Sequence, residues 1–220
     1  MQHIVPFIEQ MSRAADELAS DHPIHHRLGF ILVDNAAELI VHKYARNHAE
    51  RQRTWMFEPK LSERQLWNAR KGKYDDKLGI LVTLGVITSD ERRFASICHE
   101  YRNQIYHAGL RHEDALHAIG GAYFRWCCDL FRRLPPMFYG TSSNERPTPK
   151  ALAVIEQIKK EEAVSLVPNV EQVAPHILAM CPPTPDLPTT LADLAIEAVE
   201  NIKGNLDFIQ NDAPRKLSVA

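Results

Sequence analysis

Apolar residues recur every three or four positions along the first 134 residues, the spacing that places them on one side of an α-helix. The segment 77–87 is rich in Gly, Val and Ile, so a short strand is an alternative there, but we favour a helix that ends near Gly85. One clear apolar stripe consists of Phe7, Ile8, Met11, Ala15 and Leu18. Helices are predicted at 5–19 and at about 24–51. A third begins at Ser62, and two more span 89–107 and 112–134.

Local signals indicate where helices begin and end. Ser62 and Gln65 have the spacing of a capping box, and Ser89 is predicted to be an N-cap because two acidic residues follow it. Gly109 suits the left-handed position after a helix end. Beyond residue 134 we expect three helices, 148–165, 169–180 and 190–210, which begin at Thr148-Pro149, Asn169 and Thr190.

The prolines divide the chain into two parts. Ten of the fourteen lie between Pro135 and Pro188, and none lies between Lys60 and Leu134. Because a proline inside a helix removes a backbone hydrogen bond, only the proline-free part can be uninterrupted helix. We therefore predict an all-α protein with a helical bundle at 1–134, a linker at 135–147 and a C-terminal helical extension at 148–220, which contains a proline-rich linker at 181–188.

Charge is distributed unevenly along a chain whose net charge is −2. Residues 42–77 contain ten Lys/Arg against five Asp/Glu (+5), whereas the part from Pro135 onward has seven against eleven (−4). Basic side chains interleaved with Trp55, Phe57 and Trp67 are suited to hold single-stranded RNA by phosphate contact and stacking. The alternative is a charged helix surface over buried tryptophans. The candidate RNA-binding residues are Lys43, Arg46, Arg51, Arg53, Arg70, Lys71 and Lys73.

Several classes of protein find no support in the sequence. Its start lacks a basic stretch followed by an apolar core, and no window reaches 18 uncharged apolar residues, so we expect neither a signal peptide nor a membrane span. Four cysteines without a C-x-x-C pair indicate free thiols in a reducing cytoplasm. His22, His25 and His26 have no further close ligand pair to complete a zinc site. Without a Walker A, GxGxxG, HExxH or G-x-S-x-G motif, we predict no cofactor and no metal.

The strongest chemical signal lies near the end of the predicted helix 89–107. The core stripe of this helix is predicted to contain Phe94, Ile97, Cys98, Tyr101 and Ile105. Arg102 stands at the edge of that stripe, and His99, Asn103 and Tyr106 lie beside it on a shared polar side. His107 is about 140° from Arg102 around a regular helix. The two side chains meet if the helix loosens at its end, or if a dimer axis brings two such helix ends together.

The sequence resembles the HEPN domain family at the run Arg102-Asn103-Gln104-Ile105-Tyr106-His107. The family signature is an arginine, a polar residue and, after a short gap, a histidine near the end of a bundle helix. Residues 27–40 also resemble an early helix common in such proteins, and the resemblance covers about residues 1–134. It implies a HEPN-like bundle that forms a homodimer, and the activity of a metal-independent endoribonuclease in toxin–antitoxin systems, defence or RNA processing.

The resemblance implies a role for each residue of the motif. Arg102 would hold the scissile phosphate of the RNA substrate, His107 would act as acid or base, and Asn103 would orient the phosphate or His107. Both chains of the homodimer would contribute to one cleft, and a protein partner or antitoxin is a further expectation. Some HEPN toxins carry a tyrosine two residues after the histidine, which a partner nucleotidyltransferase modifies. Gly109 stands there in this chain, so that partnership is not implied.

A structural interpretation of the same residues remains open. Arg102 would then pair with Asp34 or Glu38 of a neighbouring helix, and His107 would be only a favourable cation at a helix C-terminus. The competing function is a non-catalytic HEPN-like helical module that binds a protein partner or nucleic acid. In the enzyme interpretation, the residues that support the site are Asp34, Glu38, His99 and Tyr106.

Overall fold

The structure, a computed structural model, describes residues 4–52, 60–108, 113–134, 147–161 and 169–212, with side chains for all of these except 106–108, 113, 114, 204, 205 and 207–212. All regular secondary structure within these residues is α-helical, which confirms the predicted all-α fold. None of these helices is long and apolar enough to cross a membrane. They are α1 (Ile4–Leu18), α2 (Pro23–Gln52), α3 (Glu63–Lys71), α4 (Tyr74–Thr83), α5 (Ser89–Ala108), α6 (Glu113–Arg133), α7 (Pro149–Glu161), α8 (Val170–Ala179) and α9 (Leu187–Asp212).

Helix α2 is the element around which the bundle is built. It packs against α1, α3, α4, α5 and α6. Phe7 of α1 stacks on Phe131 of α6 with ring centroids 3.8 Å apart, and Phe30 of α2 contacts Tyr123 of α6 at 5.8 Å. These rings are fully buried, and burial of aromatic surface is a major source of stability in a helical core. The contacts therefore fix α1, α2 and α6 against one another.

The chain divides into two compact units, Met1–Thr184 and Pro185–Ala220. The sequence predicted a bundle that ends at 134, whereas the first unit also contains α7 and α8, which pack against α1 and against each other. Helix α8 packs against α6 as well. Both helices extend the bundle because each presents an apolar side to the core. The buried residues that they contribute are Ala151, Val154, Ile155, Ile158, Val170, Val173, Ala174 and Ile177.

Three helix starts follow the predicted local signals. Ser62 and Gln65 form the capping box of α3, and Asn169 caps α8 through its side-chain oxygen. Thr148 directly precedes Pro149, the first residue of α7, and its Oγ1 accepts the N–H of Ala151 at 3.3 Å. Each side chain satisfies a backbone N–H that has no partner within the first helical turn. Local sequence signals are therefore sufficient to locate these starts.

The turn between α4 and α5 differs from the prediction by one residue. Helix α4 ends at Thr83, and Gly85 follows with a φ of 71°, so the segment 77–87 begins as helix, as favoured, and not as strand. The cap of α5 is Thr88 and not Ser89. Thr88 Oγ1 accepts the N–H of Glu91 at 3.1 Å, while the Glu91 carboxylate accepts the N–H of Thr88 at 2.8 Å. This reciprocal pair is a capping box that starts one residue earlier than predicted.

The second unit contains α9. This helix begins at Leu187, three residues before the predicted start at Thr190. The reason is Asp186, whose carboxylate accepts the N–H of Thr189 at 3.1 Å and so caps the helix earlier. Pro188 lies in the first turn, where a missing N–H costs no helical hydrogen bond. Among the described side chains of α9, the exposed large apolar ones are Leu191, Ile196, Val199, Ile202 and Leu206.

We expect Gly29→Ala to destabilise the bundle. A β-carbon at Gly29 would lie 2.7 Å from Leu18 Cγ and 3.1 Å from the carbonyl oxygen of Ala14, so α1 and α2 would have to separate. The overpacking should outweigh the gain in helix propensity and lower the free energy of unfolding by about 1 kcal/mol. The measurement is urea unfolding followed by circular dichroism.

The matched control is Gly79→Ala in α4. Its β-carbon would meet only the guanidinium of Arg92, at 3.3 Å, and that side chain can move. We expect this variant to be as stable as the wild type, or more stable by up to about 1 kcal/mol. Equal unfolding free energies for the two variants would contradict the close approach of α1 and α2.

Candidate functional site

The candidate site lies where α5 crosses α2. Residues three and four apart on a helix share a side, so α5 presents His99, Arg102 and Asn103 together. Asp34 and Asn35 of α2 meet them: Asp34 hydrogen-bonds His99, and Asn35 hydrogen-bonds Arg102. The predicted polar side of α5 is thus placed against two polar residues of the longest helix in the bundle.

Asp34 is the centre of this cluster. Its side chain is 0% exposed, and a buried carboxylate is stable only where donors or cations compensate it. Tyr123 of α6 donates its hydroxyl to Asp34 Oδ1 at 3.0 Å. His99 Nδ1 lies 3.0 Å from Oδ2 and 3.2 Å from Oδ1, and Arg102 Nε lies 3.4 Å from Oδ2. Three side chains from two helices therefore converge on one buried charge.

A second tyrosine extends the cluster towards α4. The hydroxyl of Tyr74 lies 3.2 Å from that of Tyr123. Because Tyr123 donates to Asp34, Tyr74 is the donor in this contact. Burial raises the pKa of both phenols well above their usual range, so both remain protonated donors. The Tyr74 ring also packs against the His99 ring, with centroids 4.5 Å apart.

Arg102 is held on several sides and still reaches the surface. It donates from Nη1 to Asn103 Oδ1 at 3.0 Å and from Nη2 to Asn35 Oδ1 at 3.1 Å, in addition to its ion pair with Asp34. Its side chain is 23% exposed. The pairing with Asp34 is the contact that the structural interpretation predicts. The side chain is nevertheless oriented and partly exposed, which a phosphate-binding arginine requires.

His99 is an imidazole oriented by a carboxylate. The hydrogen bond to Asp34 is the main reason that the pKa of His99 lies above its usual value, and the charges of Asp34 and Glu38 add to it, whereas burial and Arg102 oppose it. Because Nδ1 donates to Asp34, the ring presents Nε2 on its other edge. Nε2 makes no hydrogen bond within the described residues, and 21% of the side chain is exposed. The ring can therefore exchange a proton with a neighbouring group.

The same residues include the donor set for a metal ion. Within the described residues, Asp34, Glu38 and His99 each bring one ligand atom to within 4.8 Å of the others. Two carboxylates and an imidazole suit a divalent cation. However, Asp34 already accepts two hydrogen bonds, and the positive charge of Arg102 lies 3.4 Å from it. This competition disfavours a metal, and the expected absence of one stays a prediction.

An open groove of about 310 Å³ adjoins the cluster. It is lined by Gln10 of α1 and by Asn35, Glu38, Leu39 and His42 of α2. Burial lowers the pKa of His42, and the positive charges of Lys77, Lys43 and Arg46 lower it further, against the opposing effect of Glu38. The shift indicates a neutral imidazole in positively charged surroundings. The groove shares Asn35 with Arg102, so the two features are continuous.

The candidate RNA-binding residues that the structure describes fall on three parts of the chain. Lys43, Arg46 and Arg51 lie on α2, and Arg46 also pairs with Glu50 at 2.9 Å. Arg70 and Lys71 lie in the last turn of α3, and Lys73 precedes α4. Trp67 is 62% exposed, so the alternative of buried tryptophans is wrong for this residue. Arg53, Trp55 and Phe57 lie outside the described residues.

Of His107, the predicted catalytic partner of Arg102, the structure describes only the backbone. The backbone of Tyr106 and His107 belongs to the last turn of α5, and their side chains lie outside the described residues. The predicted core stripe of α5 is wrong at Ile97, which is 56% exposed. Among the residues of this helix whose side chains are described, the buried ones are Ala95, Cys98 and Ile105. The helix is therefore rotated slightly from the predicted orientation, which turns His99 towards Asp34.

Several residues of the site have no signal in the local sequence. Tyr123 reaches Asp34 from α6, and Tyr74 of α4 reaches Tyr123, so only the fold brings these residues together. Asn35 and His42 share a side of α2, but the groove that they line also includes Gln10 of α1, which only the fold brings there. Comparisons with protein-family models, curated proteins and solved structures give no match to this chain.

We expect the imidazole of His99 to titrate above its ordinary value of 6.5 because Asp34 stabilises its protonated form. Asp34→Asn should lower the pKa of His99, since burial and Arg102 then act without the carboxylate. Glu38→Gln should lower it less. The measurement is the pH dependence of the histidine Cε1–H signals by NMR.

The same bond should make stability depend on pH. The folded-state pKa is raised, so the contribution of His99 is fully present below pH 6.5 and is lost as pH rises through the folded-state pKa. Urea unfolding of the wild type and of His99→Gln at several pH values isolates this contribution. An unchanged pKa of His99 in Asp34→Asn, or a difference in stability that grows at high pH, would contradict the pairing.

Proposed function

We propose that this chain is a HEPN-type, metal-independent endoribonuclease that acts as a toxin, in defence or in RNA processing. One observation carries the proposal. The Arg102 guanidinium is oriented by Asp34, Asn35 and Asn103, 23% of the side chain is exposed, and the last turn of the same helix contains His107. An arginine fixed in this way resembles a phosphate-binding group more than an ordinary surface charge.

The chemistry follows from the two residue types. His107, as base, takes the proton of the ribose 2′-OH, and the 2′-oxygen attacks the adjacent phosphorus. A new P–O2′ bond forms, the P–O5′ bond breaks, and the leaving O5′ receives a proton from the protonated histidine or from water. Arg102 offsets the charge that develops on the phosphoryl oxygens. The products are a 2′,3′-cyclic phosphate and a 5′-hydroxyl end, and no metal enters the reaction.

The surroundings of the groove support binding of a polyanion. Lys43, Arg46 and Lys77 lie close enough to His42 to lower its pKa. Lysine and arginine side chains bind RNA phosphates largely through charge. A chain with a net charge of −2 thus has a cluster of positive charges around His42, which lines the groove that Asn35 shares with Arg102; of these cations, Lys77 is buried. A strand bound along this groove would pass the guanidinium.

A second copy of the chain belongs to the proposal. Arg102 and His107 lie about 140° apart on a regular helix, so one α5 does not direct both side chains to one phosphate. In a homodimer the arginine of one chain and the histidine of the other can share a cleft. A protein partner or antitoxin that covers this cleft would regulate it.

One contact favours the second candidate function, a non-catalytic HEPN-like module that binds a protein partner or nucleic acid. Arg102 Nε lies 3.4 Å from the buried Asp34 carboxylate. An arginine is sometimes retained only to neutralise such a charge. In that case its removal would affect stability and leave no activity to lose. RNA cleavage by the wild type and its loss in Arg102 variants therefore distinguish the two functions.

We expect the purified protein to cleave single-stranded RNA in the presence of EDTA, and Arg102→Ala and His107→Ala each to reduce the rate by about 10²-fold or more. The reason is that one variant loses phosphate binding and the other loses proton transfer. The measurement is the cleavage rate on a labelled RNA, with end-group analysis of the products.

Arg93→Ala is the matched control. Arg93 is an exposed arginine of the same helix, so its loss tests whether any cation removed from α5 has the same effect. Its rate should equal that of the wild type. Equal rates in all four proteins, or activity that EDTA abolishes, would exclude the proposed reaction.

A further inference from the structure

The groove beside Arg102 has the size and the types of lining side chain that suit one small planar ligand. Its volume of about 310 Å³ lies at the lower end of the range of about 300–1,000 Å³ that is usual for ligand sites. Leu39 supplies an apolar surface, and His42 supplies an aromatic ring on which a flat ligand can stack. Polar groups come from Gln10, Asn35 and Glu38.

Two of these polar groups have acceptor oxygens without a donor among the described residues. Glu38 is exposed and makes no ion pair or hydrogen bond within the described residues, so both of its carboxylate oxygens can accept from a ligand. The side-chain oxygen of Gln10 is buried and has no hydrogen-bond partner among the described residues. A buried acceptor without a donor is costly, and a ligand N–H in the groove removes that cost if the Gln10 side chain rotates to meet it.

Asn35 supplies the complementary donor. Its oxygen accepts from Arg102 at 3.1 Å, which leaves the amide N–H groups directed elsewhere. These N–H groups make no hydrogen bond within the described residues. The groove therefore combines a carboxylate, a further acceptor and an amide donor, and the donor is tied to the arginine that would hold a phosphate.

Among the four RNA bases, guanine matches this set best. Its Watson–Crick edge presents two adjacent donors, N1–H and N2–H, which a carboxylate accepts with both oxygens, and next to them the O6 acceptor. Adenine, cytosine and uracil each offer a donor beside an acceptor, so one carboxylate oxygen would face a lone pair. Reading of an unstacked base by stacking and by its Watson–Crick edge is usual for single-stranded RNA.

We propose that this groove binds a guanine base of the RNA next to the phosphate held by Arg102. Glu38 accepts from guanine N1–H and N2–H, Asn35 donates to O6, and Leu39 and His42 contact the faces of the ring. The role of this contact in substrate choice rests on the proposed endoribonuclease function. Binding of a guanine nucleotide does not require cleavage and can be measured separately.

The experiment compares the dissociation constants of guanosine, inosine and adenosine 3′-monophosphates by calorimetry on the full chain. Guanosine should bind at least about tenfold more tightly than adenosine, with inosine between them because it lacks the N2 donor. Glu38→Gln should weaken guanosine binding at least about tenfold and change adenosine binding less than twofold. Glu50→Gln, an exposed glutamate on the same helix, should leave all three unchanged.

The outcomes separate this proposal from the proposed function. Guanosine selectivity that depends on Glu38 supports the groove assignment even if the protein cleaves no RNA. Cleavage that depends on Arg102 and has no preference for guanine, together with equal binding of the three nucleotides, overturns the groove assignment and leaves the endoribonuclease intact. Guanosine selectivity that persists in Glu38→Gln also overturns it, because the carboxylate would not be the reading group.

Discussion

A carboxylate buried in a helical bundle has to be compensated by its neighbours, and here that requirement arranges the site. Asp34 lies inside the core and draws Tyr123, His99 and Arg102 towards itself. The energetic reason is the high cost of an unpaired buried charge, several kcal/mol in typical proteins. Because these partners come from α5 and α6, the charge also fixes those helices against α2. Removal of the carboxylate would affect the fold and the site together.

The same charge determines where the polar groups of α5 can act. His99 and Arg102 both face Asp34 and remain partly exposed, so each is oriented from inside and reachable from outside. Asn35, the next residue along α2, links Arg102 to the groove that contains Glu38 and His42. Asp34 and Glu38 are thus one turn apart on α2. The buried Asp34 carboxylate positions cations, and the exposed Glu38 carboxylate can accept hydrogen bonds from a ligand. This arrangement is the structural basis of both proposals.

The sequence predicts much of the fold and part of the site, for physical reasons that differ. Helix identity and the caps at Ser62, Thr148 and Asn169 depend on neighbours in the chain, so local patterns are sufficient. The sequence predicts that Arg102 pairs with Asp34 or Glu38 but does not distinguish them, because the two carboxylates are one turn apart; the structure has the pair with Asp34. Long-range packing is different: the tyrosines around Asp34, the exposure of Ile97 and the inclusion of α7 and α8 in the bundle depend on contacts between distant segments.

The most direct test of the central claim, that Arg102 is positioned to bind phosphate and is not only a partner for Asp34, is Arg102→Lys. Lysine keeps the positive charge beside Asp34 but lacks the planar fork that contacts a phosphate at two points. The cleavage rate and the free energy of unfolding should be measured on the same preparation. We expect cleavage to fall at least about tenfold while stability changes by less than about 1 kcal/mol. Unchanged cleavage with a large loss of stability would contradict the claim and leave Arg102 a structural cation.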